Sequence, residues 1–342
     1  MSSKSKKITK NISRTDNSLD IKIKELKYQK KSDLHESFLE LELSGSDINN
    51  IFVNTLRRVS LDDIPIYAFP PELIKIEGNT TIFNNDYMKL RLSQIPIYDC
   101  DQNIFFLDNK YLNMGLGFDD THFVKYEKEK VIEIYINSYN NTPENINVTT
   151  NDIKYIVDGE SLEIYSKKFP ILITQLRPNE TFKAHMKGAL STGLKSNLFS
   201  ASSNTFFHEE DDKIILRVES QGQIDEYNIL EKSCNNILKK LDDFEKSFTQ
   251  QLKENKKYEN SSTLVLEFEN EDHTMGELLN TVFQDHDKII FSGMSKPSPL
   301  ERFIKIKIVS SNDHPMVYML EQISYLKSVY ETILNQVKKL SK

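Results

Sequence analysis

Residue patterns that could do chemistry are few in this chain. Asp99-x-Asp101 and Asp285-x-Asp287 have a spacing that could set two carboxylates on one magnesium ion. In a chain with 51 Asp and Glu such pairs arise by chance, and the motif alone carries little weight. Gly115-Leu116-Gly117 is a fragment of a dinucleotide loop without its third glycine, and it reads as a turn. No P-loop, no His-Glu-x-x-His and no nucleophile elbow is present. The seven histidines are scattered; His273 stands just before a helical stretch and reads as a first-turn or capping residue. Cys100 and Cys234 are too few for a four-cysteine or three-cysteine-plus-histidine zinc site, and no CxxC occurs. Cys234 falls on an apolar helical stripe and reads as a small core residue; Cys100 reads as a partly buried thiol. These residues call for no metal and no cofactor, and they give catalysis no home.

The remaining reactive feature is Arg57-Arg58, whose planar forks suit carboxylates of a partner. A solvated helix face is the plainer reading of such a pair. From Asp47 the apolar period is helical: Ile48, Ile51, Phe52, Thr55, Leu56 and Val59 share one stripe. Arg57 points away from that stripe, whereas Asn54 and Arg58 are i,i+4 neighbours on one flank. Ser46 is the expected N-cap, and the helix must stop by Ile64 because Pro65 follows.

Around this helix the elements follow from periodicity. Leu19, Ile21 and Ile23, then Leu39, Leu41 and Leu43, alternate as half-buried strands. Residues 97–166 are rich in Asn, Asp, Tyr and Ile, with Val131–Ile136 as the clearest strand, and read as a β-rich insertion with its own core. A long helix is expected from about Asp225, through Leu230, Cys234, Ile237, Leu241, Phe244 and Phe248. Beyond a polar junction the opening plan returns. Leu264, Leu266 and Phe268 alternate, Thr274–Glu277 fits a capping box, and Met275, Leu278, Leu279, Val282 and Phe283 form a helical stripe. A strand at Ile304–Ile308 and a long amphipathic helix from Met319 to Leu340 close the chain. One plan occurring twice predicts an α+β intramolecular pseudo-dimer.

The 342 residues carry 44 Lys and Arg, for a net charge of −7, which disfavours free-standing nucleic-acid binding. Residues 1–18 have almost nothing to bury and are expected to be a disordered tail, whose Lys4, Lys6 and Lys7 could form an address signal. The lysine-rich start has no apolar signal core, and no stretch reaches the roughly 18 apolar residues of a membrane span, so the chain reads as intracellular.

Asn54-Thr55-Leu56-Arg57-Arg58, followed by Asp63-Ile64-Pro65-Ile66-Tyr67-Ala68, resembles the assembly subunits of multisubunit DNA-directed RNA polymerases. These are the bacterial alpha subunit, its D-type archaeal counterpart and the third-largest subunit of polymerase II. Arg91–Ile97 resembles the family's next block, a strand, and Lys187–Phe207 more loosely resembles its later Gly- and Ser-containing loop. His273-Thr274-Met275-Gly276-Glu277-Leu278-Leu279, with Phe291-Ser292-Gly293 and Pro297–Glu301, is similar to the smaller member of that pair, the L-type archaeal protein or the eleventh subunit of polymerase II. The resemblance covers most of the chain outside tail and insertion, and both members of the pair lie on one chain, as in fused forms of some large cytoplasmic DNA viruses.

The resemblance implies two alpha-subunit-like dimerisation modules, 19–96 with 167–255 and 256–342, with the insertion 97–166 in the first. It implies a non-catalytic platform that docks the largest and second-largest polymerase subunits, with small subunits also expected, no direct DNA contact and no membrane. Such a protein would work in the cytoplasm, a viral factory or a virion if viral, and in the nucleus if cellular. Phe52, Leu56, Val59, Met275, Leu278, Leu279 and Val282 would form the dimerisation core, and Asn54, Arg57 and Arg58 the partner interface. Arg58 is expected to dominate that contact. In the repeat, Asn54, Arg57 and Arg58 correspond to Glu277, Asn280 and Thr281. The family's cysteine cluster is missing, so no metal is carried over. A stand-alone interaction protein on the same fold, or an enzyme with a site in the insertion, are the alternatives.

Overall fold

The computed structural model describes residues 19–32, 37–100, 103–108, 115, 117–118, 129–254, 261–311 and 314–341. The expected tail at 1–18, Asp101 of the first acid pair and Leu116 of the glycine fragment lie outside the described residues.

The first half opens with strands β1 (Lys22–Gln29) and β2 (Phe38–Ser44). In β2, Leu39, Leu41 and Leu43 are buried while Glu40 and Glu42 are half-buried, the alternation of a strand wet on one face. Strands β12 (Ser202–Glu210) and β13 (Lys213–Ser220) complete a four-stranded sheet in the order β1-β2-β13-β12. Across its outer face Arg217 pairs with Glu40 at 3.0 Å.

Helix α1 (Asn50–Asp62) follows β2 and lies against β12. Its N-cap is Asn49, whose Oδ1 accepts the Phe52 N–H at 2.9 Å. Ser46, the expected cap, sits instead in the preceding turn, where its N–H donates to Asp20. Gly45 makes that turn at φ +125°, so the helix starts later than the stripe implied. Asp63 closes α1 by donating its N–H to the Val59 carbonyl at 3.0 Å.

Next comes a β-rich lobe with its own core. Strands β3 (Ile66–Ala68) and β4 (Ile74–Asn79) lead into helix α2 (Asn85–Ser93), and β5 (Ile132–Tyr139), β6 (Ile146–Thr149), β7 (Ile153–Val157), β8 (Glu160–Leu162), β9 (Leu172–Leu176), β10 (Thr181–Lys187) and β11 (Ala189–Ser191) follow. The main sheet runs β4-β10-β5-β7-β8, and β6 pairs with β9. The lobe is therefore wider than 97–166. The buried Ile132, Ile134 and Ile136 of β5 share a core with Ile74 from one flank and Phe182 and Met186 from the other. Arg91–Ser93 end a helix rather than form a strand, and 94–97 are irregular. Asn84 caps that helix, and Met88 and Leu92, four apart, bury its inner face. Cys100 is buried in the same core.

Helix α3 (Glu226–Glu254) starts as expected, with Asp225 accepting the Asn228 N–H at 2.8 Å. The second half comprises β14 (Thr263–Glu269), α4 (His273–Gln284), β15 (Ile289–Ser295), β16 (Phe303–Ser310) and α5 (Pro315–Leu340), with strand order β14-β16-β15. The cap of α4 is Asp272, which accepts the His273 N–H at 2.7 Å; Thr274 lies inside the first turn and Glu277 is exposed, so no capping box forms. Gly276 lets this helix close on its sheet, because a Cβ there would stand 3.0 Å from Met294 and 3.1 Å from Ile304.

The two halves share one apolar core. Phe52, Leu56 and Val59 of α1, Leu230 and Leu241 of α3, Met275, Leu278, Leu279 and Val282 of α4, and Ile323 and Tyr330 of α5 belong to a single buried cluster. Tyr330 of the second half donates its hydroxyl to the Phe52 carbonyl of the first at 3.1 Å. Gln336 reaches the first sheet, donating to the Ile21 carbonyl at 2.6 Å and accepting from the Ile23 N–H at 2.8 Å. Lys327 of α5 bridges Asp242 and Glu245 of α3 at 2.5 and 2.6 Å. Phe244, Phe248 and Phe268 meet edge-on across the seam.

Leu279→Asp buries an unpaired carboxylate in this core and is expected to destabilise the chain by about 4 kcal/mol or more. Calorimetry should record a sharp fall in Tm, and an unchanged Tm would remove Leu279 from the shared core. Burial pushes the Cys234 thiol up to about 12. In a Cys100→Ser variant at pH 8, iodoacetamide should therefore leave the native chain unlabelled and modify it in urea, as read by intact mass. Labelling of the native form would mean that the core opens readily.

Candidate partner interface

Helix α1 divides its side chains between core and rim. Phe52, Leu56 and Val59 face inward, while Asn54, Arg57 and Arg58 stay half-buried on the other side. Asn54 Oδ1 accepts a hydrogen bond from Arg57 Nε at 3.0 Å. Asn54 is thus tied to Arg57, not to Arg58 as the flank argument grouped them. Positions three and four apart both face each other on a helix, and here the shorter step makes the bond. Burial, with Arg58 beside it, holds the Arg57 guanidinium below the usual arginine range, and Asp62 opposes that shift.

Arg58 stands at the seam between the halves. It lines a crevice of about 50 Å³ with Asp62 from the end of α1 and Glu271, Asp272, Thr274 and Arg302 from the second half. Behind it Lys240 of α3 reaches Asp63 at 3.4 Å and Glu271 at 3.6 Å. Burial alone would lower the Lys240 ammonium, but Glu271 and Asp63 hold it above the ordinary lysine range. Burial pushes the Glu271 carboxyl up, against the pull of Lys240. Burial likewise raises Asp62, helped by Asp63 and opposed by Arg58, Arg57 and Arg302. For Asp272, burial is outweighed by the His273 N–H and by Lys296 at 3.2 Å, which hold its carboxyl below the usual range.

The repeat is asymmetric in its chemistry. Glu277, at the position of Asn54, is exposed and acidic. Asn280, at the position of Arg57, is buried and accepts the Ser292 hydroxyl at 2.9 Å. Thr281, at the position of Arg58, carries no charge. At these matched positions only the first half carries a pair of cations.

The crevice sets Arg58, Lys240 and Arg302 among the carboxylates of Asp62, Asp63, Glu271 and Asp272. Among the described residues no group of three or more His, Cys, Asp and Glu is arranged to hold a metal ion. Asp285 serves as the C-cap of α4, and His273 is the first residue of that helix. Among the described residues no helix is long and apolar enough to cross a membrane.

Sequence reasoning did not find Asp63, Lys240, Glu271 and Arg302 as a cluster, because they come from separate segments. One signal was present. Lys240 lies three residues after Ile237 and four before Phe244, so it interrupts a stripe that is otherwise apolar.

Residues 41–241, more than half of the chain, match the model of the RNA polymerase Rpb3/Rpb11 dimerisation domain. Residues 263–336 match a second model of the same description. Over 344 aligned residues the chain is 26% identical to a chain of Acanthamoeba polyphaga mimivirus named as a DNA directed RNA polymerase subunit, and the match covers 94% of each. A stretch of 77 residues is 34% identical to the Arabidopsis thaliana DNA-directed RNA polymerases IV and V subunit 3B, covering 22% of this chain and 20% of that one. With two such domains sharing one core, the chain belongs to the RNA polymerase Rpb3/Rpb11 dimerisation-domain family and is a DNA-directed RNA polymerase subunit.

Proposed function

We propose that this protein is the non-catalytic assembly platform of its polymerase, pairing its own two halves and docking the two largest subunits. The second-largest of these binds the α1 rim through an acidic surface. Arg58 makes the leading contact, and Asn54 and Arg57 form a pre-set pair beside it. The largest one binds the platform as well and, with its large partner, carries the active site; small polymerase subunits can join them. The observation that carries this reading is the single apolar core with residues from β2 to α5, because it packs both halves into one body that carries the Arg57–Arg58 pair on the outer side of α1. Linking the halves in one chain also raises their effective concentration, so pairing needs no encounter between separate chains. The net charge of −7 favours protein partners over direct DNA contact. Its place of work is the transcription machinery inside the cell, in the cytoplasm for a viral polymerase and in the nucleus for a cellular one.

The test is an affinity purification of the tagged full chain from its native cells. Arg58→Glu sets a like charge against an acidic partner and should reduce recovery of the second-largest subunit at least about tenfold, or ~1.4 kcal/mol. Asp62, Glu271 and Asp272 already crowd this residue, so Arg58→Ala accompanies it as the gentler change. Both variants should keep the wild-type circular dichroism spectrum. Undiminished recovery with both would remove Arg58 from the contact, and a chain that brings down neither large subunit would sink the platform reading.

A further inference from the structure

A groove of about 440 Å³ lies along the seam, lined by both halves and continuous with the Arg58 crevice through Asp63, Leu194, Lys240, Glu271 and Arg302. Its apolar walls include Phe106, Phe244, Phe268 and Phe303. Its charge is acidic: Asp243, Glu254, Glu267 and Glu269 line it as well. Asp243 is matched by Lys239 at 2.8 Å and Glu267 by Lys305 at 2.6 Å. Glu254 and Glu269 are exposed and have no cation within ion-pair distance among the described residues.

A second observation is independent of that charge. Asn236 lines the groove and is only 2% exposed. Its Nδ2 donates to the Asp63 carbonyl at 3.3 Å and the Phe105 carbonyl at 2.9 Å, which fixes the orientation of the amide. Among the described residues its Oδ1 has no donor, and the hydroxyl of Thr192, another buried residue of the same lining, has no partner. Buried polar atoms are almost always hydrogen-bonded, so Asn236 and Thr192 leave two unmet hydrogen bonds in the wall of the groove.

We propose that this groove receives a cationic segment of another polymerase subunit, with an arginine or lysine donating to Asn236 and neutralising Glu254 and Glu269. Such a side chain offers donors only, which matches an orphan acceptor among carboxylates. Its methylene stem suits the phenylalanine walls, and its head can lie over an aromatic face. An anionic segment would meet the carboxylates, and an apolar one would leave Asn236 unsatisfied. The chemistry of the groove stands apart from the platform reading; the source of the segment rests on it.

Two measurements separate these. The first titrates a tri-arginine peptide, with tri-glutamate as control, into the isolated full chain and follows the Asn236 side-chain amide by NMR. Tri-arginine should shift that resonance, tri-glutamate should not, and Glu254→Lys with Glu269→Lys should weaken the response at least about tenfold while leaving Tm unchanged. No shift, or the same shift from both peptides, overturns the proposal and leaves the platform reading intact. The second places a photocrosslinking benzoylphenylalanine at Gln250, on the groove lining, in the complex recovered from native cells. A captured Lys- or Arg-bearing peptide of a polymerase subunit, lost in the double lysine variant and regained when its cation is changed to glutamate, supports the proposal. Capture of an uncharged or acidic peptide, or a yield indifferent to charge reversal, overturns it. Absence of every polymerase subunit from the recovered complex counts against the platform reading, while the peptide titration still decides the groove.

Discussion

The burial of four helical stripes in one place is the constraint on which the rest depends. The apolar faces of α1, α3, α4 and α5 are too broad for either sheet alone to cover, and exposed faces of that size do not persist in water. They are covered only when the two halves close on each other. Tyr330 and Gln336 then make bonds from the second half to the backbone of the first, which set how deep and in what register α5 lies. Hydrophobic burial drives the closure, and these directional bonds choose one closure among many.

Closure also creates the chemistry. Lys240, Asp63 and Glu271 meet only because α3, the end of α1 and the entry to α4 converge at the seam. Buried ion pairs contribute little net stability, since desolvation consumes most of the attraction, but removing one partner is costly. A mispaired seam would strand a charge, so the cluster discriminates against wrong registers. The same convergence brings Arg58 of the first half beside Arg302 and Asp272 of the second. The rim is therefore a composite of both repeats, although the arginine pair belongs to one.

The divergence of the repeats gives a pseudo-symmetric body two unlike outer faces. The inward positions of α1 and α4 stay apolar in both copies because both feed one core. The outward positions are released from that requirement. One copy carries Arg57 and Arg58 there, and the other turns Asn280 to its own sheet. The β-rich lobe stands apart, with a core of its own assembled from strands on both sides of the expected insertion.

Much was legible in the sequence, because local pattern reports local physics. The 3.6 and 2.0 periods located α1, α3, α4, α5 and the strands beside them, and repetition of that plan implied the pseudo-dimer. Pro65 and Asp225 marked helix ends through steric exclusion and capping, which act within a few residues. The sequence also determined which side chains of α1 and α4 face inward. Caps were less legible: Asn49 and Asp272 displaced Ser46 and Thr274, since several side chains could satisfy the same orphan N–H groups and the turn geometry chose among them. The pairing of Asn54 with Arg57, the true reach of the lobe and the Asp63–Lys240–Glu271 cluster were decided by tertiary structure alone. The physical reason is distance along the chain. A sheet takes its strands, and a buried charge its partners, from segments whose spacing in sequence says nothing about their meeting in space.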